Sequence, residues 1–81
     1  MRFYHTDRSR EQVSNAPKNI QRALDTKLRF LIADLRHPSL RAKKYDEVRD
    51  IWQARITKGW RFYFLIDGDM YIILSVTPHP K

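Results

Sequence analysis

The chain contains no cysteine, only two glycines, and three scattered histidines in 81 residues. Without cysteine there is no disulfide framework and no thiolate metal site, and His5, His37 and His79 lack the ligand spacing of a zinc centre. Two glycines leave little room for a glycine-rich phosphate loop, and no paired-carboxylate or serine-nucleophile motif is present. Nucleotide hydrolysis and glycoside chemistry are therefore poor readings. No run approaches the roughly 20 apolar residues that span a bilayer. The N-terminus MRFYHTDRSR also lacks the apolar centre of a signal peptide. A soluble cytoplasmic protein with no membrane partner, no metal and no cofactor is expected.

At this length one domain, residues 1–81, is expected, and such a domain buries only about 60% of its unfolded surface, so its stability can lean on a partner. What is abundant is positive charge: 16 Lys and Arg against 9 Asp and Glu, a formal net charge of +7. Much of it is concentrated between Arg36 and Arg61, where Arg36, Arg41, Lys43, Lys44, Arg49, Arg55, Lys58 and Arg61 outnumber Asp46, Glu47 and Asp50. Such a surface suits a polyanion, nucleic acid ahead of an anionic membrane because no basic amphipathic helix lies in the stretch. The plainer reading is a solvated basic face.

Arg2–His5 is a short strand candidate, and Thr6 or Asp7 can cap a helix through about Ser14. Asn15-Ala16-Pro17 breaks it, and Pro17 suits the first turn of a second helix. Ile20, Ala23, Leu24, Leu28, Leu31, Ile32 and Leu35 recur at three and four residues, which predicts an amphipathic helix over 17–36. Leu40–Asp50 reads as a charged connection with Tyr45 and Val48 anchoring it in the core.

From Ile51 onward the period changes to two, predicting three strands whose even positions are apolar: Trp52, Ala54, Ile56; Trp60, Phe62, Phe64, Ile66; Met70, Ile72, Leu74, Val76. The fold class is α+β: a short N-terminal strand, two helices, then a three-strand antiparallel meander with the helices packed on one face. Residues opposite each other in a ladder share a face. That rule predicts three-residue loops, Lys58-Gly59-Trp60 with Gly59 at positive φ, and Asp67-Gly68-Asp69. Thr57 then lies opposite Arg61, Arg55 opposite Tyr63, and Arg61 opposite Ser75.

The polar face so defined carries Arg55, Arg61 and Tyr63, with Lys58 at its rim and His79 on a proline-flanked tail at its open end. Two guanidinium forks on rigid strands suit a phosphodiester, whose oxygens they can grip two at a time while offsetting charge in a pentacoordinate transition state. His79 can donate a proton at neutral pH to a leaving 5′-oxygen; a frayed terminal residue is the alternative. Tyr63 and Tyr71 can stack on splayed bases, and Lys43, Lys44 and Lys81 can steer a phosphate backbone.

The element order, the run I-W-Q-A-R-I-T-K-G-W-R-F-Y-F and the closing V-T-P-H-P-K resemble the RelE/ParE superfamily of bacterial toxin–antitoxin systems, nearest its RelE and YoeB branches. The resemblance covers nearly the whole chain. It implies that Arg61 contacts the scissile phosphate, that Arg55 matches a basic residue of the preceding strand, and that His79 falls where the family places a catalytic Arg or His. It further implies a ribosome-associated endoribonuclease cleaving mRNA by metal-independent 2′-hydroxyl attack, with a cognate antitoxin masking the basic face in a toxin–antitoxin hetero-oligomer. Gln53 stands where some members carry a catalytic lysine, which leaves Lys43, Lys44 and Lys58 as the bases to consider. The ParE branch uses the same fold against DNA gyrase without nuclease residues, so a non-nuclease toxin, or an inactive RNA- or partner-binding relative, is the alternative.

Overall fold

The computed structural model describes residues 1–79. In chain order the elements are β1 (Arg2–His5), α1 (Asp7–Asn15), α2 (Lys18–Ala33), a 3-10 turn (Pro38–Leu40), β2 (Lys43–Asp46), β3 (Ile51–Thr57), β4 (Trp60–Asp67) and β5 (Met70–Pro78). They form one five-stranded sheet in the order β1-β5-β4-β3-β2, antiparallel except for the parallel pair β1 and β5. Among the described residues no helix is long and apolar enough to cross a membrane. The α+β class stands, with one strand more than expected.

Both helices begin and end for local reasons. Thr6 caps α1, its hydroxyl accepting from Ser9 N at 3.1 Å, and Pro17 stands at the N-cap of α2 rather than within its first turn. α2 stops at Ala33, before the expected Arg36, because Asp34 turns the chain: its carboxylate accepts from Arg36 N at 2.9 Å, a local bond that competes with the helix. Ile20, Leu24, Leu28 and Leu31 of α2 are buried against Ala54, Ile56, Phe62, Phe64, Ile73 and Val76 of the sheet.

α1 packs along β5 past the end of β1, where it completes a strand edge. Thr6 N donates to Ile73 O (3.1 Å), Thr6 Oγ1 to Leu74 O (3.2 Å), and Val76 N donates to Gln12 Oε1 (2.8 Å). Backbone groups that lose their neighbouring strand thus keep partners.

The connection 40–50 differs from its sequence reading. Tyr45 and Val48 are 61% and 96% exposed, so neither anchors it; Leu40, fully buried on the 3-10 turn, does. Lys43–Asp46 pairs with β3 as an edge strand, and an edge rich in lysine needs no apolar alternation to form.

The loops are also shorter than expected, which rearranges the faces. Thr57 pairs with Trp60 across the two-residue turn Lys58-Gly59, and the phase is restored by a bulge at Ile56, after which Arg55 lies opposite Arg61 and Gln53 opposite Tyr63. Gly59 does not adopt positive φ; Gly68, at φ 59°, does, in the two-residue turn Gly68-Asp69 that pairs Asp67 with Met70. A second bulge at Leu74 separates Phe64↔Ile73 from Tyr63↔Ser75 and brings Thr77, not Ser75, opposite Arg61. The first half of β5 is therefore inverted: Tyr71 and Ile73 are buried, while Ile72 and Leu74 turn to the outer face.

His5 closes the junction of β1 and α1, its Nδ1 2.9 Å from the hydroxyl of the fully buried Ser9. Burial, reinforced by Arg10, lowers its pKa below 6.5. A folded state that binds this proton less readily than the unfolded chain has the full contribution above pH 6.5 and loses it as the pH falls toward the lowered value. Urea-unfolding midpoints are expected to drop between neutral pH and about pH 5, near and below the unperturbed histidine value, and His5→Gln should flatten that slope.

Candidate nucleic-acid interface

The face of β3 and β4 turned away from α2 carries a row of polar side chains in register: Lys43 beside Gln53, Gln53 beside Tyr63, Arg55 beside Arg61, and Arg61 beside Thr77. Arg41, Lys43, Gln53, Arg55 and Arg61 line a depression of about 170 Å³. Drug-sized ligand sites are typically ≈300–1,000 Å³, so this one suits a small group such as a phosphate. Four of its five lining residues are cationic and none is acidic. The ion pairs among the described residues, Arg10–Asp7, Lys44–Asp50 and Arg49–Asp46, involve none of these four cations.

Arg61 is fixed before any ligand arrives. Its Nη1 lies 2.7 Å from Thr57 O, 3.0 Å from Trp60 O and 3.2 Å from Lys58 O, so two hydrogens serve three carbonyls of the β3–β4 turn. Nη2 and Nε make no hydrogen bond among the described residues and can face an anion together. Arg55 sits directly across the ladder from it. Like charges in that position destabilise a sheet, on the scale of the roughly 0.2–1 kcal/mol that opposite charges contribute there. An anion between them removes the conflict.

The neighbouring surface is apolar and aromatic. Arg8, Tyr45, Ile51, Tyr63, Leu74, Ser75 and Thr77 line a depression of about 350 Å³, in which the rings of Tyr45 and Tyr63 meet edge to face at 4.9 Å. Burial, then Tyr45, raises the Tyr63 pKa while Arg61 opposes them, so the hydroxyl stays a donor at neutral pH. His79 is exposed and lines neither depression, but its N–H donates to Gly59 O at 2.7 Å, which holds the tail beside the β3–β4 turn. Lys58 is exposed on that turn.

Two expected contacts do not join this surface. Tyr71 is only 5% exposed and packs edge-on against Phe64, the Leu74 bulge having turned it into the core, so it cannot stack on a base. Lys44 pairs with Asp50 at 2.6 Å and lies over the Trp52 ring at 5.0 Å, one residue out of phase with Lys43. Lys81 lies outside the described residues.

No protein-family model matches the chain, and no curated protein matches it in sequence. Solved structures do. A YoeB/ParE toxin from Agrobacterium tumefaciens superposes with a TM-score of 0.82 at 14% identity, over 99% of this chain and 100% of that one. The archaeal RelE–RelB complex from Pyrococcus horikoshii gives 0.79 at 16% over 95% and 92%. The toxin–antitoxin complex RelBE2 from Mycobacterium tuberculosis gives 0.64 at 25% over 95% of each chain. The fold is that of the RelE/ParE-like toxins.

Within this RelE/ParE-like fold, Arg41, Tyr45 and Arg8 complete the outer surface; the sequence counts Arg41 only in the basic stretch as a whole and points to no place for Tyr45 or Arg8 there. For Tyr45 the available signal was its type alone, a strand-favouring aromatic set among charged residues. Arg41 had no comparable signal, since its place depends on a left-handed backbone (φ 47°) between the 3-10 turn and β2.

The opposed arginines give a direct test. Arg55→Gln is expected to raise the thermal midpoint at low ionic strength by a few degrees, about 0.5 kcal/mol in a domain of this size. Added inorganic phosphate should stabilise the wild type more than the variant by mass action, as read by differential scanning fluorimetry.

Proposed function

We propose that this chain is the toxin of a type II toxin–antitoxin pair and that it acts as a ribosome-associated endoribonuclease on mRNA. The observation that carries the reading is the acid-free depression in which Arg55 and the clamped Arg61 face one another beside Arg41 and Lys43. The RelE/ParE-like fold supports it as context.

In the proposed reaction the 2′-hydroxyl gives up its proton to water and its oxygen bonds to the adjacent 3′-phosphorus as the P–O5′ bond breaks, giving a 2′,3′-cyclic phosphate and, once O5′ is protonated, a 5′-hydroxyl. Arg61 and Arg55 offset the charge that develops on the non-bridging oxygens, and Arg61 does so with little reorganisation because its backbone clamp is already made. His79 is assigned the proton delivered to the 5′-oxygen, from its position beside the β3–β4 turn. No carboxylate lines the depression, so alignment and charge carry more of the rate than a strong base does. Tyr63 and Tyr45 are assigned to stack on an adjoining base.

The antitoxin is the proposed protein partner. Leu74, exposed in part on the outer face in the depression it shares with Arg8 and Tyr63, suits an apolar anchor of an acidic segment, and of the similar structures one is a RelE–RelB complex and another a toxin–antitoxin complex.

Purified protein is expected to cut message in translating ribosomes, mapped by primer extension. Arg61→Ala should lower that cleavage about 10²–10³-fold, the cost of removing one preorganised donor to a transition-state anion. His79→Ala should lower it about 10²–10⁴-fold, the usual cost of losing an acid–base group. Undiminished cleavage by Arg61→Ala overturns the assignment of this depression as the catalytic site; intact message with inhibited supercoiling replaces the nuclease reading with a gyrase-directed toxin.

A further inference from the structure

The basic depression does not end at Arg55. A second one, about 510 Å³, shares Arg41 and Arg55 with it and continues to Lys27, Pro38, Ser39, Ile56 and Thr57. It exists because β2 begins pairing only at Lys43↔Gln53. Before that residue the left-handed Arg41 diverts the chain, so among the described residues no strand covers the outer edge of β3 from Ala54 to Thr57.

The groove holds three cations, Lys27, Arg41 and Arg55, and no acid lines it. Lys27, on α2, is held at the wall by one hydrogen bond from Nζ to Ser39 O (3.1 Å), which leaves two of its three N–H groups for a ligand. No ion pair among the described residues uses it. Burial, and then the positive charge of Arg55, lower its pKa, the mark of an ammonium placed near another cation. Thr57 Oγ1 accepts from Gly59 N (3.3 Å) and keeps its own proton free to donate. The Thr57 carbonyl meanwhile holds Arg61, so a residue lining the groove also positions a residue lining the inner depression.

We infer that this groove is a second phosphate subsite, taking the backbone phosphate next to the one held between Arg55 and Arg61. A single ribonucleotide strand then crosses the C-terminal half of β3, with Arg41 and Arg55 between its two phosphates and Lys27 binding only the outer one. The inference rests on the ribonuclease reading above and adds to it the path of the strand. An open strand edge, with unpaired backbone groups on one side only, suits a single strand better than a duplex.

The test is fluorescence anisotropy with a short, uncleavable 2′-O-methyl single strand and with a dinucleotide carrying one phosphate. Lys27→Gln is expected to weaken the longer strand about 5–10-fold at low salt, to make the slope of log K against log salt shallower by about 0.7, and to leave the dinucleotide unchanged. Lys27→Arg should retain wild-type affinity and slope. Unchanged binding of the longer strand by Lys27→Gln overturns the second subsite and leaves the ribonuclease reading standing. Equal losses in Lys27→Gln and Lys27→Arg, or an equal loss on the dinucleotide, also overturn it, the first by making Lys27 a packing residue and the second by assigning it to the inner site. A wild type that binds neither probe overturns the subsite and the ribonuclease reading together.

Discussion

An alternating strand that turns back after two residues arrives out of phase with its partner, and the whole sheet depends on how that mismatch is absorbed. Both hairpins of the meander absorb it with a bulge, at Ile56 in β3 and at Leu74 in β5. The first bulge sets Arg55 opposite Arg61. The second inverts the start of β5, so that Tyr71 and Ile73 complete the core beside Phe64, while the stretch beyond the bulge returns Val76 to the core and Thr77 to the outer face. A single pleat phase would have buried or exposed these residues as one block. Two local defects let one strand serve both faces.

The position of the first bulge also explains the electrostatics. Arg55 and Arg61 meet near the turn, where the backbone carbonyls of Thr57, Lys58 and Trp60 converge on Nη1 of Arg61. A turn ordinarily leaves such carbonyls to water; here they hold a guanidinium in place. The clamp orients one arginine but brings no formal negative charge against its repulsion from the other. A fold that keeps this conflict, with no carboxylate lining the depression, departs from local consistency where a ligand is best placed to restore it.

Much of this was legible in the residues. The period of α2 located Ile20, Leu24, Leu28 and Leu31, and the period of β3 and β4 located Ala54, Phe62 and Phe64, because strong alternation in a half-buried element reports burial directly. Arg55, Arg61 and Tyr63 followed from the same parity. The misplacement of Tyr71 and the overlong loops share one cause: the alternation of residues 70–76 reads as a single unbroken phase with its even positions buried, and the loop lengths follow from that parity. A bulge spends a residue without any composition of its own here, Ile56 and Leu74 being ordinary strand formers. β2 escaped for a different reason, since a short lysine-bearing edge strand has no buried face to impose a period.

Arg41 shows why a site can depend on a residue whose part no pattern reveals. A non-glycine residue in the left-handed region is disfavoured by about 1 kcal/mol or more, because Cβ crowds the backbone. Glycine there would remove the strain, and the chain spends only two glycines, one of them at the positive-φ turn of Gly68. The strained position instead carries a guanidinium that lines both basic depressions, and its backbone turns the chain away from β3 so that the groove stays open. Glycine could supply the turn but not the charge. The strain is thus the condition for having the turn and the cation at the same position, and the two depressions meet where that condition is satisfied.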